Sequence, residues 1–203
     1  MEDILDVYAR PYDPSNPVIC LDETNKQLVE QTRIPCAPGE AEKVDSEYTR
    51  NGVADVFVAV EPLAGVRYTT VTQTRTAIDF ANVVKGLSDI YAAAEKITLV
   101  TDNLNTHIPA SFYKAFEPEV ARSLAARIEW HYTPKHGSWL DMAEIEISVM
   151  SRQALAKPMA DLDSFSSAVG AWTASRNAGY CKIDWQFTTS DARIKLKKLY
   201  PLL

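Results

Sequence analysis

Three carboxylates in this sequence have the surroundings that divalent-cation chemistry needs. Asp22 follows the apolar run Val18-Ile19-Cys20-Leu21, and Asp102 follows Ile97-Thr98-Leu99-Val100-Thr101. Both runs read as strands buried on both faces. If the two strands lie adjacent and parallel, their acids emerge at one sheet edge, where α/β folds place ligand sites. Glu144 falls in the first turns of a helix expected from about Trp139 to Ala156. Hard cations such as Mg²⁺ gather oxygen ligands from separate elements, and two ions about 3.5–4 Å apart clamp an in-line phosphoryl displacement. Each acid also has a structural reading. An Asp after a strand can simply open a turn. Asp141-Met142-Ala143-Glu144 spaces an N-cap and its N3 acid as a capping box, and Glu146 rivals Glu144 but addresses another helix face.

Other side chains surround these acids in sequence. His107 offers an imidazole to a substrate or a metal-bound water, or else bonds a backbone carbonyl as a loop histidine. Lys135 and His136, in the loop Thr133-Pro134-Lys135-His136-Gly137, either neutralise a phosphate or form a solvated basic turn. Trp139 either stacks on an unpaired base or anchors its loop in the core. In the tail, Arg193, Lys195, Lys197 and Lys198 either touch DNA backbone or form a solvated helix face, the reading we favour.

The elements that must position these residues follow from periodicity and turn chemistry. Residues 3–9 form a short amphipathic helix ended by Arg10-Pro11, and residues 12–17 a loop. Asp55–Val60 and Val66–Val71 flank Glu61-Pro62-Leu63-Ala64-Gly65 as an antiparallel hairpin. Helices are expected over Thr76–Glu95, from Pro109 to about Ile128, over Ser164–Arg176 and at the start of the tail from Asp191. Ile128–Tyr132 is a further short strand. Residues 33–47 read as an exposed connection, and Asn51-Gly52 as a turn signal. Together they specify an α/β layer structure, a mixed central sheet with helices on both faces.

Composition bounds the function. A chain of 203 residues suits one sizeable domain with a real core. No apolar run approaches the roughly 18 residues a membrane span requires, and the acidic start Met1-Glu2-Asp3 is unlike a secretory signal. Three cysteines without a C-x-x-C pair argue against a disulfide framework or a cysteine zinc site and fit a reducing cytosol. The net charge of −6 counts against a self-sufficient nucleic-acid binder, because phosphate neutralisation normally requires a basic excess.

Two strings narrow the reading. Asp102-Asn103-Leu104-Asn105-Thr106-His107 and Thr133–Glu144 resemble two catalytic motifs of the bacterial DDE transposases of the insertion sequence 630 family, relatives of the mariner elements. Val18–Glu23 resembles the strand carrying the first Asp, Tyr48–Gly52 the segment entering the hairpin, and Trp172–Asn177 and Ile183–Thr188 later parts of the pattern. The resemblance implies an RNase H-like fold over residues 18–180, preceded by a linker helix and loop (1–17) and followed by a C-terminal extension (181–203). It implies Asp22, Asp102 and Glu144 as the catalytic, metal-binding triad, two Mg²⁺ or Mn²⁺ ions, and DNA as substrate. Strand cleavage at a transposon end would be followed by strand transfer into target DNA. Further expectations are a homodimer, a cytoplasmic, nucleoid-associated location and no membrane partner. Asp141 departs from the family's usual Asn, and the Asp102–Glu144 interval is longer than usual, with the excess placed in Glu117–Ala126. The family's basic DNA-reading region has no counterpart here. That, with the acidic charge, motivates an alternative, a remnant acting as a binding or assembly module; an RNase H-like nuclease on RNA hybrids is a third, narrower reading.

Overall fold

The computed structural model describes residues 1–31, 48–135 and 137–200. The expected connection at 33–47 and His136 lie outside them.

Among the described residues five strands form one mixed sheet: β1 (Val18–Gln31), β2 (Tyr48–Glu61), β3 (Val66–Thr72), β4 (Ile97–Thr101) and β5 (Ile128–Tyr132). Their order is β3-β2-β1-β4-β5, with β1–β2 and β2–β3 antiparallel and β1–β4 and β4–β5 parallel. β1 outruns its apolar stretch because its second half, Glu23–Gln31, continues the pairing with β2 from Phe57 to Tyr48. Asn51-Gly52 is not a reversal. The β1–β2 register passes from Gln27↔Val53 to Val29↔Arg50, so β2 carries one extra residue there, and Gly52 takes φ +102°. A bulge needs the same glycine freedom as a turn, which is why the signal misled.

Helices cover both faces. Against Ile19, Leu21, Phe57, Ala59, Ile97 and Leu99 pack α2 (Ala77–Ile90), α3 (Phe112–Ala115) and α4 (Pro118–Arg127), burying Phe80, Phe112 and Leu124. The α2 start is fixed by a Thr76–Asp79 capping box. The single helix expected from Pro109 instead breaks at Phe116-Glu117. Pro118 drives Glu117 to ψ 148° and then opens α4 as its N1 residue.

The opposite face has two clusters. Val56 and Val58 meet Ile147 and Met150 of α5 (Met142–Gln153) and Phe165, Val169 and Trp172 of α6 (Leu162–Ala178). Cys20, Val60 and Val100 meet Leu140, Met142 and Ala143, together with Ile4, Leu5, Val7 and Tyr8 of α1 (Glu2–Tyr8) and Ala192 of α7 (Thr189–Lys195). α1 and α7 therefore share one core with β1, which carries Asp22, and with β4, which Asp102 follows. The Tyr8 hydroxyl donates to Leu140 O at 2.6 Å, tying α1 to the turn that launches α5. No helix among the described residues is long and apolar enough to cross a membrane.

Candidate active site

β1 and β4 are adjacent and parallel, with Cys20 opposite Val100. Strand alternation places Asp22 and Asp102 two residues further on, on the face covered by Leu140, Met142 and Ala143. Asp22 is 8% exposed and accepts the Glu23 N–H at 2.7 Å. Burial pushes its carboxyl up to about 7. The negative charges of Glu144, Glu23 and Asp102 add to that, and the backbone N–H only partly opposes it. Glu144, in the first turn of α5, is half-buried, and among the described residues its side chain makes no hydrogen bond.

The three acids share one electrostatic neighbourhood, but among the described residues no group of three His, Cys, Asp or Glu side chains stands close enough together to hold a metal ion. As a donor set they fit a hard cation. All are carboxylates, and the mutual repulsion that adds to burial in raising Asp22 is what a divalent ion would relieve.

His107 stands differently from the expected DNA contact. It is 1% exposed and stacks on Phe80 with ring centroids 4.4 Å apart. Its Nδ1 lies 2.5 Å from Asp102 Oδ1 and 3.1 Å from Thr101 Oγ1. Its Nε2 lies 3.0 Å from Glu23 Oε2, a charge contact and not an aligned hydrogen bond, since that oxygen lacks a hydrogen-bond partner among the described residues. Burial alone would lower the imidazole, yet the two carboxylates lift it to about 9. Burial likewise works to raise Asp102, and His107 outweighs it, holding that carboxyl below its usual range. The ring is thus aimed at Asp102, with no exposed edge for a phosphate.

Asp141 is the N-cap of α5, its Oδ1 accepting the Ala143 N–H at 2.9 Å. The reciprocal Glu144 contact of a capping box is not among the described bonds, so the cap leaves Glu144 free for another partner. Asp141 is fully buried, and its Oδ2 has no hydrogen-bond partner among the described residues. Burial, then the charge of Asp22, holds its carboxyl well above the usual range. The folded protein therefore keeps this proton while the unfolded chain loses it near pH 4, so stability falls as pH rises from there. In Asp141→Asn the amide keeps the cap and stands where the protonated oxygen stood. In chelator, its stability advantage over the wild type should be near zero at pH 4 and reach about 1–3 kcal/mol at pH 7. Urea denaturation at both pH values checks this; parallel pH profiles would refute it.

Glu146 is buried to 0% in an ion cluster. Its oxygens accept from Arg67 Nε and Nη2, both at 2.9 Å, and from Arg176 Nη2 at 2.7 Å. Arg67 also donates to the Gly65 and Cys181 carbonyls. This clamp joins β3, α5 and α6 and removes Glu146 from the metal-ligand candidates. An Arg within a β-hairpin carried no sequence signal of burial.

Lys135 is exposed in the loop before α5. Trp139 is 44% exposed, with Trp185 nearly parallel at 6.3 Å and Phe187 edge-on at 5.9 Å. It thus anchors its loop on the C-terminal segment while keeping one accessible side. In the tail, Arg193 pairs with Glu2 through Nε and Nη2 at 2.7 and 2.8 Å, pinning α7 to α1. Sequence reasoning passed over Glu23, although an acid continuing a buried strand was a usable signal.

Comparison with known proteins agrees with this architecture. No curated protein shows a significant match. The crystal structure of the Mos1 strand transfer complex superposes with a TM-score of 0.55 at 16% identity, covering 88% of this chain and 53% of that one. The Mos1 transposase paired-end complex with left transposon end gives 0.60 at 14% identity, covering 88% and 54%. The Mos1 mariner paired-end complex with Mn gives 0.57 at 14% identity, with the same coverages. The chain thus spans about half the length of these proteins and shares their RNase H-like fold. The DDE superfamily endonuclease family matches residues 17–166 of 203, and the chain belongs to that family.

Proposed function

We propose that this chain is the catalytic domain of a cut-and-paste DNA transposase of the insertion sequence 630 group, with Asp22, Asp102 and Glu144 as its metal-binding triad. The observation that carries the reading is the parallel β1–β4 pair, whose two aspartates face the first turn of α5. Asp22, Asp102 and Glu144 would hold two Mg²⁺ or Mn²⁺ ions. The ions would supply activation of the attacking oxygen and charge stabilisation at the leaving one, for both strand cleavage and strand transfer. The Mos1 mariner paired-end complex with Mn supports Mn²⁺ as an alternative ion. Exposed Lys135 and Trp139 sit just ahead of α5, the first suited to a phosphate and the second to an unstacked base; His136 belongs to the same loop. DNA is the partner, paired-end assembly in the Mos1 structures supports a homodimer, and the setting is the cytoplasmic nucleoid. Residues 18–180 form the catalytic unit, with 1–17 as linker and 181–203 as an extension.

The net charge of −6 favours a second reading, a binding or assembly module on the same fold. Incubating the full chain with supercoiled plasmid separates them. Nicking is expected with Mg²⁺ or Mn²⁺ and none with chelator. A folded, DNA-binding chain that nicks under no metal condition would establish the module reading.

A further inference from the structure

We propose that Glu23 is a positioning residue which, acting through His107, fixes the Asp102 carboxylate so that one chosen oxygen is left for metal. The inference rests on the reading of Asp102 as a metal ligand and adds a residue behind it.

Asp102 is held by one oxygen. Oδ1 receives His107 Nδ1 at 2.5 Å and the Leu104 N–H at 3.2 Å, while among the described residues Oδ2 has no hydrogen bond. Which oxygen is occupied therefore depends on the imidazole keeping its orientation. Stacking on Phe80 sets the plane of the ring but does not distinguish its two flipped states. Glu23 does, because a flip would turn a carbon edge toward its carboxylate in place of Nε2, now 3.0 Å away.

Glu23 has little else to do. Strand alternation places it on the apolar side of the sheet with Leu21, Phe57 and Phe80, and its side chain is 5% exposed. A carboxylate buried among such residues is costly unless a polar partner answers it, and among the described residues the His107 ring nitrogen, 3.0 Å away, is the group that meets it. The arrangement is a carboxylate–histidine–carboxylate chain running through the sheet edge from one face to the other. Partners at this remove from a metal commonly change its affinity by about 10–100-fold.

Calorimetric titration of the full chain with MnCl₂ tests the proposal. Glu23→Gln is expected to weaken binding about 10-fold, His107→Asn by at least as much, and the double variant no more than His107→Asn alone. Wild-type affinity in Glu23→Gln, or losses that add in the double variant, would overturn it. Asp102→Asn in the same series isolates the underlying reading: wild-type Mn²⁺ affinity there would remove Asp102 from the ligand set whatever Glu23 does. Should the His107 variant fold poorly, Glu23→Gln alone decides: weaker Mn²⁺ binding by the folded variant is expected, and wild-type affinity there would refute the chain.

Discussion

Glu146→Gln is expected to lower the free energy of unfolding by about 3–5 kcal/mol, because it leaves Arg67 with a buried, unanswered charge. Arg67 is 1% exposed and cannot turn to water, whereas Arg176, with 23% side-chain exposure, can. The cost falls on three elements together, since Arg67 lies on β3, Glu146 on α5 and Arg176 on α6. Burial by itself would raise the Glu146 carboxyl, but the two guanidiniums hold it below the usual range. A carboxyl lowered in the folded state contributes stability above its unfolded value, and that contribution is lost as pH falls through the folded value. The gap between wild type and Glu146→Gln should therefore be full at pH 7 and shrink in strong acid. Urea denaturation at the two pH values measures it, and a gap below about 1 kcal/mol at pH 7 would mean the cluster is not what joins these elements. Replacing Arg67 and Glu146 together by Met and Leu should recover most of the loss, because no buried charge is then left alone.

The same cluster shows where sequence reading reached its limit. Periodicity found the sheet strands, the hairpin and the long helices, because each buries a continuous apolar face whose spacing is written locally. Asp22 and Asp102 stood out because each is the acid that ends such an apolar run, although β1 continues beyond Asp22. Arg67 and Glu146 did not, since their burial depends on side chains brought together from positions 67, 146 and 176. Position 107 was legible as a histidine near an acid, but its role was not. Only the fold reveals that Glu23 lies behind it. The bulge at Asn51-Gly52 and the break in the helix expected from Pro109 to about Ile128 were hidden for another reason. Glycine freedom serves a bulge as readily as a turn, and a proline that opens one helix also ends the segment before it.

Asp22→Asn and Glu144→Gln should each reduce metal-dependent plasmid nicking by at least about 10³-fold, equivalent to roughly 4 kcal/mol of barrier, while leaving the fold intact. The second half of that statement gives the first its force. Glu144 makes no side-chain hydrogen bond among the described residues, so its amide removes no folding contact. Asp22 is a carboxyl pushed up to about 7 by burial and by neighbouring acids. A raised carboxyl withholds stability as pH climbs from about 4 through its folded value, so Asp22→Asn in chelator at pH 7.5 should melt at or above the wild-type temperature. A residue that weakens the metal-free fold yet is required for nicking would be acting as a ligand, and no packing role predicts that pairing of effects. Asp102→Asn is the poorer probe, since losing its charge also strips His107 of a partner and should cost about 1–3 kcal/mol of stability. Nicking that survives in both Asp22→Asn and Glu144→Gln, with both proteins folded, would overturn the triad.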